Sequence, residues 1–185
     1  SLSWLSDYTP VKMAPAELAE ALTRVGLAVD AVVDRYRYLD TVRVGRVVAV
    51  DSHPAADKLK VCRVDTGRSV ADIVCGAPNV KPGLLAPVAL PGTLLPDGTT
   101  LTVGIIRGQR SEGMLCSNAE LGLGPEADVV RVLDPRLKVG TPLNAALSLS
   151  DPVLDLDLTP NRAVCLGIIG VAREVAAIQN TRLNY

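Results

Sequence analysis

His53 is the only imidazole of the chain, and it opens the stretch HPAADKLKVCRVDTG. Pro54 follows it at once, and Lys58, Lys60 and Arg63 come next, spaced among apolar residues. Two chemistries suit such a set. An imidazole exchanges protons near neutral pH, whereas ammonium and guanidinium groups hold anions. Acid–base catalysis needs a positioned partner, and the sequence around His53 shows no evident nucleophile partner for it. The stretch therefore reads as a turn histidine, shaped by Pro54, beside a surface that grips an anion. No GxxxxGK[ST], GxGxxG or GxSxG motif is present, so no catalytic residue is assigned.

Charge bounds this reading. Between residues 43 and 68 lie Arg43, Arg46, Lys58, Lys60, Arg63 and Arg68, against Asp51, Asp57 and Asp65. Taken alone, that excess is what a solvated face carries, because charged residues are mostly surface residues. A second cluster, RGQRSEGMLCSNAELG, adds Arg107 and Arg110. Its Ser111, Gly113 and Ser117 are candidates to offer hydroxyl and amide donors to phosphates; the plainer reading is a long connection with a tight glycine turn. The formal net charge is −1, so no global field draws nucleic acid. No aromatic residue lies between 39 and 184, which excludes a base-stacking platform there. Nucleic-acid contact by this stretch would read backbone and shape.

The four cysteines, Cys62, Cys75, Cys116 and Cys165, form no CxxC pair, and a single histidine makes a zinc site improbable. They read as free thiols in a core. The longest apolar runs, LLAPVAL and GIIGVA, fall short of the roughly 20 residues that span a bilayer. SLSWLSDYTPVK lacks a basic start and an apolar block. The expectation is a soluble cytoplasmic protein with no membrane partner.

These residues need elements to hold them. APAELAEALTRVG predicts a helix with Pro15 in its first turn, Glu17 close behind and Gly26 as its C-cap, followed by a strand in LAVDAVVD. From 41 to 150, short apolar stretches (VRVGRVVAV, LKVCRVD, DIVCG, APVAL, LTVGII, DVVRVL) are separated by turn signals, which predicts a small all-β barrel or sandwich. In LKVCRVD the alternation sets Leu59, Val61 and Arg63 on one face and Lys60, Cys62 and Val64 on the other. The chain then alternates in DPVLDLDLTPNR, turning Leu154, Leu156 and Leu158 inward. Asn161 is expected to cap a following helix over 163 to 179 that is apolar nearly all round. Residues 1–40 and 151–185 are each too short to bury a core. They are expected to pair as one discontinuous α/β domain, with residues 41–150 inserted as the barrel: an α+β fold.

HPAADKLKVCRVDTG, IVCGAPNVKPG, VALPGTLLPDG, IRGQRSEGMLCSNAELGLG and LDLDLTPNRAVCLGIIGVAREVAA occur in this order, after SLSWLSDYTP…ELAEALTRVGLAVD. In that order they resemble the N-terminal region of the bacterial phenylalanyl-tRNA synthetase beta subunit, over essentially the whole chain. The resemblance implies an oligonucleotide/oligosaccharide-binding (OB) barrel of the tRNA-binding type. His53, Pro54, Ala56 to Leu59 and Ser111 to Met114 match its HP.ADKL and SEGM motifs. Where the family pattern places a proline and an acidic residue after TPNR, this chain has Ala163 and Val164. The family subunit is several times longer, and this chain begins without methionine, so a fragment is expected. The resemblance implies tRNA, the alpha subunit and the rest of the beta subunit as partners, in a tetramer of two alpha and two beta. It also implies ATP and magnesium for the full ligase, with no cofactor and no catalysis in this part. On this basis Lys58, Lys60, Arg63, Arg107, Arg110, Ser111 and Ser117 are the expected tRNA contacts, and His53, Pro54, Gly113 and Asn161 the structural positions. The alternative is a module that packs within the synthetase and binds little RNA itself.

Overall fold

The computed structural model describes residues 1–184. In chain order the elements are helices α1 (Leu2–Ser6) and α2 (Pro15–Arg24), then strands β1 (Ala28–Val33), β2 (Arg43–Ser52), β3 (Lys60–Asp65), β4 (Val70–Cys75), β5 (Leu85–Ala89), β6 (Gly104–Ile106), β7 (Gln109–Ser111) and β8 (Met114–Leu115). Helix α3 (Leu143–Ala146), strand β9 (Val153–Asp157) and helix α4 (Ile168–Gln179) complete the chain. Two compact units result: Ser1–Arg35 with Ser150–Tyr185, and Tyr36–Leu149.

The first unit is built from both chain ends. Pro15 occupies the first turn of α2, where its missing N–H costs nothing, and the Glu17 carboxylate accepts from the Ala14 N–H. Gly26, at φ +86°, ends the helix in the left-handed conformation. Leu18 and Leu22 on α2 are fully buried against Val171, Ala172 and Val175 of α4. Burial of such side chains contributes about 1.5–3 kcal/mol each. Strand β1 pairs antiparallel with β9, and Leu154, Leu156 and Leu158 turn toward this core. The Gln179 side chain fastens the ends together: its Oε1 accepts from the Lys12 N–H, and its Nε2 donates to the Pro10 carbonyl.

Helix α4 begins five residues later than the sequence suggests. Pro160–Leu166 winds as a 3₁₀ segment, and Gly167 precedes the α-helix. Asn161 therefore does not cap α4; its Oδ1 accepts from the Thr159 hydroxyl within the turn. Nor is the segment buried from several sides, since Val164 is 66% and Leu166 78% exposed.

The second unit is a nearly closed antiparallel barrel of five strands in the order β4-β3-β2-β5-β8. The fold is thus α+β with an OB-type barrel. Alternation on β3 drives Cys62 and Val64 inward beside Val47, Ile73 and Val88, and leaves Arg63 outside. Strand β5 is buried along its length. Ala86 and Val88 fill the barrel, while Leu85 and Ala89 face a second cluster with Leu39, Leu121 and Leu143. Leu39 lies on a 3₁₀ turn (Arg37–Asp40), which explains why Tyr36–Asp40 folds with the barrel. DVVRVL, expected as a strand, forms none. Arg131 N–H bonds to Cys116 and Leu133 N–H to Leu85, single links that do not build a ladder, and Pro135 follows after Asp134.

The open edge of β4 is closed by a side chain. The Ser111 hydroxyl accepts from the Val74 N–H and donates to the Gly113 carbonyl, while Glu112 N–H bonds to the Asp72 carbonyl. Gly113, at φ +148°, makes the closure possible. A Cβ there would stand 2.5 Å from the Ala89 carbonyl oxygen.

Candidate nucleic-acid interface

The stretch from His53 to Leu59 folds into a closed loop at the end of β2. His53 N–H bonds to the Leu59 carbonyl, and Leu59 N–H to the Ala56 carbonyl. The imidazole is buried, 5% exposed. Its Nδ1 accepts from the Ala55 N–H at 3.1 Å, which leaves the proton on Nε2 to donate to the Ile106 carbonyl at 3.1 Å. Both ring nitrogens are thus committed to backbone. His53 is a clamp, and it joins its loop to the β6–β7 hairpin.

That hairpin carries a basic tip. Ile106 pairs with Gln109, leaving Arg107 and Gly108 as a two-residue turn with φ of +47° and +87°. Positive φ at both central residues is the pattern of a type I′ turn, which matches the twist of the strands it joins. Glycine and asparagine suit the first position; an arginine there costs about 1 kcal/mol. The clamp brings this arginine to Lys58, and the two line one cleft of about 450 Å³ with Ala55, Ala56, Asp57 and Leu59. Lys58 and Arg107 are both exposed. Ile105, beside them on the hairpin, is 79% exposed. Sequence reading missed this apolar finger. Its signal was the X-Gly pair between two short alternating runs, GII and QRS.

The other expected contacts are placed differently. Lys60 lies on the inward face of β3, and its Nζ donates to the Pro78 and Val80 carbonyls at 3.2 Å each. Two of its three N–H donors therefore hold a loop. Arg63 is exposed but stands directly across from Asp72 on β4, which offsets its charge. Arg110 lies on the hairpin and pairs with Glu112 at 3.0 Å. Ser111 and Ser117 are buried: the first closes the barrel, and the Ser117 hydroxyl donates to the Glu120 carboxylate at 2.8 Å. Neither turns a hydroxyl to the surface. Pro54 is exposed and follows the clamp, and Gly113 sits behind the closure. Of the seven, Lys58 and Arg107 share a site, with Arg110 on the same hairpin.

Over Tyr36–Leu149 the sequence holds thirteen Lys and Arg against eleven Asp and Glu, so this unit is mildly positive although the chain is not. Among the described residues, no group of three or more His, Cys, Asp or Glu side chains is placed to hold a metal ion, and no helix is long and apolar enough to cross a membrane.

All four cysteines are free and buried. Burial first, then the neighbouring Cys75, pushes the Cys62 thiol up to about 11; burial, then the Glu120 charge, pushes Cys116 up to about 12. The thiolate is the reactive form, so none of the four is expected to be alkylated in the native chain at pH 8, and all four in denaturant. Rising pH from the ordinary thiol value of 9.0 toward 11 deprotonates the unfolded chain first. Stability should accordingly fall across that window. A thiol titration at pH 8 and urea unfolding at pH 8 and 10 check both. Rapid native labelling at pH 8 would show a thiol outside its core.

The nearly closed antiparallel strands define an OB-type domain, and its basic loop and hairpin sit together at one end of β2. A family model described as "Putative tRNA binding domain" matches residues 42–142, and the chain belongs to that family. Nearly the whole chain is also similar to phenylalanine–tRNA ligase beta subunits. It is 48% identical over 178 residues to that of Syntrophus aciditrophicus, covering 96% of this chain and 22% of that subunit. With the Rhodospirillum rubrum subunit it shares 47% over 178 residues, again 96% and 22%. The chain thus spans about a fifth of the length of the curated relatives it matches. Among solved structures, the C-terminal domain of Plasmodium vivax p43 is 23% identical, with 54% of this chain and 56% of that one covered and a TM-score of 0.39.

Proposed function

We propose that this chain is a non-catalytic, tRNA-contacting part of a phenylalanine–tRNA ligase beta subunit. It touches the RNA backbone through Lys58 and Arg107. The observation that carries the reading is the His53 clamp, which holds a lysine loop and an arginine hairpin over one cleft. Two fixed cations without aromatic neighbours suit phosphates and shape, not base identity. ATP and magnesium we assign to other parts of a cytoplasmic enzyme that attaches phenylalanine to its tRNA. The alpha subunit and the rest of the beta subunit are the proposed protein partners, in a tetramer of two alpha and two beta.

The test is filter binding of tRNA to the chain over a salt series. Two or three phosphate contacts predict a log–log slope near −2 and little preference among tRNAs, since each contact contributes about −0.7 to −0.9. A flat salt dependence, or no retention at low salt, would remove the RNA reading. A second reading then stands on the exposed Val164 and Leu166: a module that packs within the synthetase.

A further inference from the structure

The other end of β2 carries a second basic pocket. Arg43 and Arg68 line a cavity of about 300 Å³ with Thr41, Thr66, Leu90, Pro91, Gly92, Thr93 and Gly140. No carboxylate is in the lining. The two arginines come from separate elements. Arg43 starts β2, and Arg68 sits in the β3–β4 turn. What brings them together is a backbone contact: a Cβ on Gly67 would stand 2.5 Å from the Gly140 Cα, so only glycine lets the turn seat there.

Three features mark the pocket as built for an anion. First, among the described residues neither guanidinium has a side-chain hydrogen bond or ion pair. Each offers five N–H donors and no acceptor. Both arginines line one concavity, where an anion between two like charges would be held. Second, Thr93 is only 3% exposed, yet its hydroxyl has no hydrogen-bond partner and is not sealed from solvent. Thr93 lines this pocket. The Thr41 and Thr66 hydroxyls, by contrast, donate to the Tyr38 and Ser69 carbonyls. Third, the nearest carboxylate along the turn, Asp65, already accepts from the Gly67 N–H. The walls hold no aromatic ring, so a base has nothing to stack on.

We infer that Arg43, Arg68 and Thr93 form a phosphate-binding site at the opposite end of β2 from the His53 cleft. Its ligand chemistry is a tetrahedral phosphate oxyanion, held by guanidinium forks and one buried hydroxyl. The source is either a backbone phosphodiester of the RNA or a free phosphate group. The site shares no residue with the cleft, so it stands or falls separately from the tRNA reading.

The experiment is a nitrogen–proton NMR titration of the 185-residue chain with inorganic phosphate and, separately, with the dinucleotide UpU, whose only phosphate is a diester. Saturable millimolar shifts of the Arg43 and Arg68 side-chain Nε–H groups and of the Gly92 and Thr93 amides are expected. Saturation by both probes points to an RNA phosphodiester as a ligand; saturation by phosphate alone points to free phosphate; either supports the site. Arg68→Gln, in an exposed turn, should abolish the saturable shift without disturbing the fold. Thr93→Val, equal in shape, should weaken binding by about tenfold, the loss of one hydrogen bond to a charged group. Arg43→Gln should act as Arg68→Gln does. No saturable shift with either probe, or an Arg68→Gln chain that binds like the parent, overturns the proposal.

Discussion

Replacing Gly113 by alanine is expected to destabilise the barrel by about 3 kcal/mol or more, toward the upper end of what single substitutions do. Two effects combine. The added Cβ would lie 2.5 Å from the Ala89 carbonyl oxygen, a backbone atom that cannot swing away. The residue would also be held at φ +148°, a region open essentially to glycine alone. Relief requires the chain to move away from Ala89, which breaks the Ala89–Met114 pairing at the end of β5. The same movement pulls Ser111 off the Val74 N–H and leaves a buried donor unpaired, at about 1–3 kcal/mol. Gly98→Ala is the control. It also has positive φ, +84°, but nothing lies within 4 Å of its Cβ. It should cost only about 1–2 kcal/mol, the left-handed penalty. Urea unfolding followed by circular dichroism compares the two. Equal losses would mean that the β4 edge relaxes freely and that Ser111 and Gly113 do not fasten it.

Gly113 also marks where the sequence stops being readable. Strands β2 to β5 were legible because alternation and turn residues agree locally, and α2 because Pro15, Glu17 and Gly26 punctuate it. Ser111 and Ser117 were misleading for a physical reason. A serine in a polar, glycine-rich stretch looks like a surface donor, but whether its hydroxyl meets solvent or the N–H of a strand 37 residues away is decided by closure of the barrel. Lys60 shows the same limit. Alternation correctly set it with Cys62 and Val64, yet only the fold shows that an inward-side lysine at a strand end can reach the Pro78 and Val80 carbonyls. DVVRVL and the stretch before α4 failed for a related cause. Apolar content says that Val130 and Leu133 are buried, not that a partner strand is free to pair with them. The meeting of Lys58 with Arg107 was not legible either, since it depends on one imidazole bridging residues 53 apart.

That bridge yields the sharpest functional expectation. Arg107→Asn should leave the chain at least as stable as before, and more stable by up to about 1 kcal/mol, because asparagine tolerates the left-handed conformation that arginine holds at a cost. The same change should weaken tRNA binding. An arginine kept where it is strained, exposed and, among the described residues, without an ion pair is placed for something outside the chain. Lys58→Ala should act in the same direction from the other side of the cleft. Together the two substitutions should flatten the salt slope by about 1.4–1.8 and cost on the order of tenfold in affinity per contact near 50 mM salt. His53→Ala separates positioning from charge. It removes no cation but frees the hairpin from the loop, so it should lower stability by about 2 kcal/mol through two lost hydrogen bonds. It should also shrink the effect of Arg107→Asn on binding, because an untethered arginine no longer shares the cleft with Lys58. Filter binding at two salt concentrations, beside urea unfolding of each variant, reads both quantities. If Lys58→Ala/Arg107→Asn retains tRNA like the parent at low salt, the loop and hairpin are a solvated surface, and the interface lies with the exposed Val164 and Leu166.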